Sequence, residues 1–294
     1  MGKTFIISLF ALTMAVQGMA CEFHGWGGIV AENSLYIPAG FKSAGGINVT
    51  QFNETLDKIE EIYGPIFKEK FGALLNVQRD WDDGTVNAYA TQSGSTWIIK
   101  MFGGLARHPT ISQDAFATVA CHEIGHHIAG APKRKGWWGS SSWASNEGQS
   151  DYFATSKCLR KYMENDDNEA MMKDKVLPQT VVDKCNAIFT NSNEVAMCYR
   201  TALAGLSLAS LFKALRNSTD PLKFSTPDQN VVTKTNDMHP ASQCRLDTYF
   251  QGGLCERSAY DDPSQTNYKT GYCIRKDGYT EGVRPLCWFK EPGA

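Results

Sequence analysis

From Thr50 onwards, apolar side chains fall at Phe52, Leu56, Ile59, Ile62 and Tyr63, three or four residues apart, with mostly polar residues between them. That period lays one apolar stripe along an α-helix, with Thr50 as the expected N-cap and Gly64-Pro65 as the expected stop. Three short runs, Leu74–Val77, Val86–Ala90 and Thr96–Met101, follow between the turn signals Asp82-Asp83-Gly84 and Ser93-Gly94, and predict a small antiparallel sheet. Thr110 and Gln113 have capping-box spacing, so a helix should start there and run to about Ala129, where Gly130 and Pro132 stop it. A loop over 131–143 carries Trp137, Trp138 and Trp143, and a second helix spans about Ser145–Tyr162. The acidic stretch Glu164–Glu169 reads as mobile. Two further helices are expected over Pro178–Phe189 and Asn191–Leu215, the latter apolar enough to be buried. From His239 the periodicity gives way to turn formers and four of the nine cysteines, which predicts an irregular, disulfide-stapled tail.

The beginning of the chain has a different pattern. Met-Gly-Lys precedes the apolar run Phe5–Val16, and Gly18 and Ala20 stand before Cys21, the arrangement of a secretory signal peptide over 1–20. No other stretch approaches the roughly 20 apolar residues of a bilayer crossing. The exported chain then divides into an irregular arm over 21–49, a domain over 50–238, and the tail over 239–294 packed on the same domain. Its destination is the periplasm, the cell envelope or the extracellular space. In such a compartment the cysteines read as disulfides, and their odd number singles out Cys21. Directly after a leader, Cys21 is a candidate for lipidation and an outer-membrane tether; otherwise it pairs, and another thiol such as Cys121 is free. Hydrophobic residues at 42% and charged residues at 20% describe a packed globular protein. With 29 Lys and Arg against 31 Asp and Glu and no basic run, the electrostatic footprint of a nucleic-acid binder is missing.

The candidate chemistry lies in His122-Glu123-Ile124-Gly125-His126, inside the expected helix. Four helical residues advance by about 400°, so both imidazoles leave one face a turn apart, as two ligands of one Zn2+ must, with Glu123 beside them as general base. A third protein ligand is needed while one position stays open to water. Glu147 on the second helix supplies it, and Asp151, one turn on, would accept a hydrogen bond from a liganding imidazole. His127 faces about 100° away and reads as a packing or surface residue. His24 and His108 read as loop residues, and Cys121 as a small buried side chain.

His-Glu-x-x-His followed about twenty residues later by Glu-x-x-x-Asp resembles the gluzincin signature. Glu147-Gly-Gln-Ser-Asp151-Tyr-Phe-Ala154 resembles that of the CAAX prenyl endopeptidases and HtpX-like proteases. Val86–Ala90 with Trp97-Ile98-Ile99 is similar to the strand segment of that family, and His239-Pro240 with Arg245 to its downstream His-Pro…Arg element. The likeness covers residues 75–160 and 236–248. It implies an α+β, zincin-like metallopeptidase of the soluble envelope type, with a protein or peptide as substrate. Asn87 and Ala88 would then bind substrate backbone as an added strand on an exposed edge near Val86 to Ile99. His239 and Arg245 would join the active site, His239 either stabilising the transition state or filling the open zinc position, unless it is merely a turn residue. A non-enzymatic envelope assembly or binding protein that retains zinc is the competing expectation.

Overall fold

Asn48 caps the first helix, α1 (Val49–Phe71): its side chain accepts from the Gln51 amide while Gln51 reaches back to the Asn48 N–H. The helix begins before Thr50 and runs on through Pro65. Pro65 lies on the exposed side, where water can serve the Glu61 carbonyl that the proline leaves without a donor, and buried Phe67 anchors the turns beyond it. Three strands follow, β1 (Leu74–Asp80), β2 (Ala88–Ser93) and β3 (Thr96–Phe102), in the spatial order β1-β3-β2. β3 pairs antiparallel with β2 but parallel with β1, so the sheet is mixed and not antiparallel throughout. Buried Arg107 holds the connection after β1, donating to the carbonyls of Trp81 and Asp83 as well as Ile37.

The computed structural model describes residues 28–41, 45–135 and 141–292; the expected leader, Cys21, His24, Trp137 and Trp138 lie outside them. After the single turn α2 (Gly103–Ala106), Ser112, not Thr110, caps α3 (Gln113–Ile128) by accepting from the Ala115 amide. A two-stranded ribbon, β4 (Lys133–Lys135) and β5 (Ser141–Ser145), leads to α4 (Glu147–Phe153), which continues through a π-helical turn, Ala154–Cys158, into α5 (Leu159–Met163). Then come α6 (Asn168–Met172), α7 (Gln179–Ile188), α8 (Ser192–Leu215) and α9 (Ser242–Gly253). The chain is thus mixed α+β, and its main core packs α1, the sheet and α3 together with the inner side of α8.

Three expectations need correction. By length and composition α8 could cross a membrane, contrary to the reading that nothing beyond the leader approached that length; here much of it is buried inside the protein. Arg200 on α8 is clamped by Asp114 and Asp166, so the acidic stretch expected to be mobile is tied to the core, with buried Asn168 donating to the Met163 carbonyl. The tail is not irregular throughout, because α9 occupies its beginning. Its remaining part gathers Tyr272, Cys273, Val283, Trp288 and Phe289 into an apolar cluster against Tyr152 of α4.

Four disulfides staple the chain: Cys121–Cys158, Cys185–Cys198, Cys244–Cys287 and Cys255–Cys273. They fit an oxidising compartment. Cys121 is therefore neither free nor a simple packing residue; it fastens α3 to the turn beyond α4. Alkylation without reductant is expected to label none of these cysteines. Replacing Cys121 and Cys158 together with Ser should lower stability by roughly 3–4 kcal/mol in urea unfolding, for a loop of 37 residues.

Candidate metal centre

The site forms where α3 and α4 cross. Their close approach depends on Gly125, where a Cβ would come within 3.0 Å of the Ser150 Cα. His122 and His126 leave the same face of α3 with ring centroids 4.6 Å apart. Glu147 opens α4 directly after its N-cap Asn146, whose side chain accepts from the Gln149 amide. One ligand atom from each of His122, His126 and Glu147 lies within 4.8 Å of the others, so this group could hold a metal ion.

The surroundings orient both rings. His122 Nδ1 lies 2.7 Å from Asp151 Oδ1 and His126 Nδ1 lies 2.9 Å from the Ser145 carbonyl, so each Nδ1–H donates outwards and each Nε2 faces the centre, where a metal ion would take the place of a proton. Asp151 is itself gripped by Arg245, Nε to Oδ2 at 2.8 Å and Nη2 to Oδ1 at 2.7 Å, and by the Tyr249 hydroxyl at 2.6 Å. All four side chains of this chain of contacts, His122, Asp151, Arg245 and Tyr249, are buried.

Burial and neighbouring charges compete at every titratable group of the centre. Burial works against an ionised Asp151, but Arg245 and His122 outweigh it and hold the carboxyl down at about 2. Burial likewise opposes ionised Glu147, yet His239, His126 and His122 keep it well below the usual carboxylate range. Burial would strip the proton from His122, but Asp151 and Glu147 lift it to about 9. His126, where burial dominates, falls to about 3 and stays neutral, the form a metal takes. His122 Nε2 and Glu147 Oε2 stand 3.2 Å apart, misaligned for a hydrogen bond and without partners. Buried polar atoms are ordinarily paired, and an ion between these two would pair both. Glu123 is fully buried with neither carboxylate oxygen partnered, and burial pushes its carboxyl up to about 8. The donor set therefore fits a divalent ion, with an unpaired carboxyl beside it.

His239 and Arg245 reach the same place from the far end of the chain. His239 Nε2 lies 2.7 Å from the Gly28 carbonyl and 3.3 Å from Glu147 Oε2, and Arg245 Nη1 donates to the Ile29 carbonyl at 2.6 Å. Asn87 and Ala88 lie at the start of β2, but the edge there is not exposed as expected. Residues 28–30 cover it, with the Ile29 amide donating to the Ala88 carbonyl at 3.0 Å. No family model, curated protein or solved structure matches the chain. Its site must be read from its own geometry.

Some participants were not foreseen. Tyr249 sits one helical turn after Arg245 on α9, a spacing that becomes informative only once that helix is recognised. Gln149 donates to the Ala129 carbonyl and accepts from Arg284 of the tail, bracing α4 from behind. His127 is buried, its ring stacked between Trp97 and Trp143, with Nε2–H donating to the Ile98 carbonyl of β3. His127→Ala is expected to lower stability by roughly 2–4 kcal/mol while leaving metal content unchanged, measured by denaturant unfolding and elemental analysis. A second cluster, Asp228, Cys244 and Cys287, has its two sulfurs joined to each other, which removes them as thiolate ligands.

Proposed function

We propose that this chain is an exported, zinc-dependent endopeptidase of the gluzincin kind, with a zincin-like arrangement of small sheet and helix pair. One observation carries the reading: two imidazoles and a carboxylate converge from two helices beside a buried carboxyl that has no hydrogen-bond partner among the described residues. Two nitrogens and one oxygen are a zinc donor set that leaves a position open. Bound there, zinc would supply Lewis acidity that acidifies a water and polarises a carbonyl. Glu123 takes the proton of the attacking water and hands it to the departing amine, its two carboxylate oxygens having no hydrogen-bond partner among the described residues. His239 donates from Nε2 to the carbonyl oxygen as charge builds on it. Asp151 and Arg245 hold His122 in register.

The competing reading, an envelope assembly or binding protein that keeps zinc for stability, leaves Glu123 without a purpose. Structural zinc sites usually fill all four positions with protein ligands. The test is metal content together with hydrolysis of a denatured protein. One zinc per chain is expected, with cleavage that a chelator stops and added zinc restores, and Glu147→Ala should lose both. A zinc-loaded chain that cuts no peptide bond would reject the reading.

A further inference from the structure

The arm before α1 does more than cover an edge. It runs antiparallel to the segment entering β2, from Ile29 opposite Ala88 to Tyr36 opposite Thr85 and Ile37 opposite Gly84. At its start the backbone is held group by group. The Ile29 amide donates to the Ala88 carbonyl, the Val30 amide donates to Asn87 Oδ1 at 3.4 Å, and Asn87 Nδ2 donates to the Val30 carbonyl at 3.3 Å. Arg245 takes the Ile29 carbonyl and His239 the Gly28 carbonyl. A carbonyl only accepts, so His239 Nε2 carries the proton in that contact. The same nitrogen stands beside Glu147, which places the Gly28 carbonyl next to the ligand set.

Resting on the peptidase reading above, we propose that the Gly28–Ile29 peptide bond is the chain's own cleavage site. Water adds its oxygen to the Gly28 carbonyl carbon, the C–N bond breaks, and both water protons pass by way of Glu123 to the Ile29 nitrogen, which leaves as an ammonium while Gly28 departs as a carboxylate. Only hydrolysis is required, with no oxidant or further reactant. His239 Nε2–H on the Gly28 carbonyl oxygen is placed where charge would build as the bond is hydrolysed. The same contacts define the substrate class. Gly28 has φ 74°, and a Cβ on it would lie 1.7 Å from the Ala88 carbonyl oxygen, so glycine is required on the amino side of the bond. Ile29 is fully buried in the main core cluster, so the carboxyl side of the bond stays anchored when the amino side leaves.

The test reads the N-terminus of the purified full-length protein by intact mass and terminal sequencing. Wild type loaded with zinc should begin at Ile29, whereas Glu123→Gln and Gly28→Val should keep the Gly28–Ile29 bond. A readout independent of turnover is amide hydrogen exchange in metal-free Glu123→Gln. The Ile29 and Val30 amides should exchange slowly there, and the double variant carrying Gly28→Val should lose that protection. A Glu123→Gln chain that already begins at Ile29 has been cut by another protease, which overturns the proposal. Wild type that hydrolyses added denatured protein yet keeps its own bond intact overturns self-cleavage and leaves the peptidase reading standing. Wild type that binds zinc and does neither overturns both.

Discussion

Glu123→Gln should abolish peptide hydrolysis while the chain keeps its zinc. The carboxyl and the amide have the same shape, so packing inside α3 is undisturbed, and Glu123 is no part of the ligand group. What changes is basicity. Gln cannot accept the water's proton, and positioned general bases contribute about 10²–10⁴-fold to rate. The expected fall in kcat/KM lies in that range, with KM little changed, because the side chain acts on the water and not on bound peptide. Stability should rise slightly or stay level, since removing an unpartnered carboxyl from the interior relieves a desolvation penalty. Steady-state kinetics, elemental analysis and thermal unfolding on one preparation decide the matter. Wild-type turnover in this variant would mean that another group moves the proton.

Arg245→Ala should unfold the site from behind. Arg245 gives Asp151 a two-pronged ion pair, and both partners are buried, so the variant leaves a carboxylate in the interior with only His122 and the Tyr249 hydroxyl to compensate it. Breaking a buried pair by removing one member destabilises by about 3–5 kcal/mol. The guanidinium also stacks on the Phe212 ring of α8 at 3.8 Å, so the truncation removes packing as well as charge. Through Asp151 the loss reaches His122, and disturbed outer partners weaken metal affinity by about 10–100-fold. Arg245→Lys separates the two effects: it retains a positive charge but cannot reproduce the fork, and should recover part of the stability and less of the metal affinity. Urea unfolding with and without zinc gives both quantities.

Apolar spacing located α1 and α8, and capping-box spacing with a Gly and Pro stop located α3. The paired histidines and Glu147 were legible for the same reason, since a helical repeat fixes which side chains share a face. What escaped has a physical cause in each case. α9 buries Arg245, Asp247 and Thr248 along with Leu246 and Phe250, so no polar face survives to mark it as a helix. The parallel pairing of β1 with β3 escaped because the connection after β1 is held by Arg107 through backbone carbonyls, contacts that no residue pattern reveals. The occupied edge of β2 rests on main-chain contacts of residues 28–37, in a stretch with too little periodicity to be read as a strand. The Cys121–Cys158 bond joins residues whose proximity only the packed helices create.

That bond also ties the chemistry to a place. Cys121 immediately precedes a ligand histidine, and Cys158 lies just beyond the helix that begins with the ligand carboxylate, so thiol oxidation and the pinning of the ligand helices are one event. Inside a reducing cell the two helices would have only their non-covalent contacts, and the ligands would be held less firmly where the chain is made than where it is delivered. On the peptidase reading proposed above, a newly synthesised chain would thus be a poor hydrolase among its maker's proteins and a competent one outside, with the redox state of its surroundings acting as the safety catch.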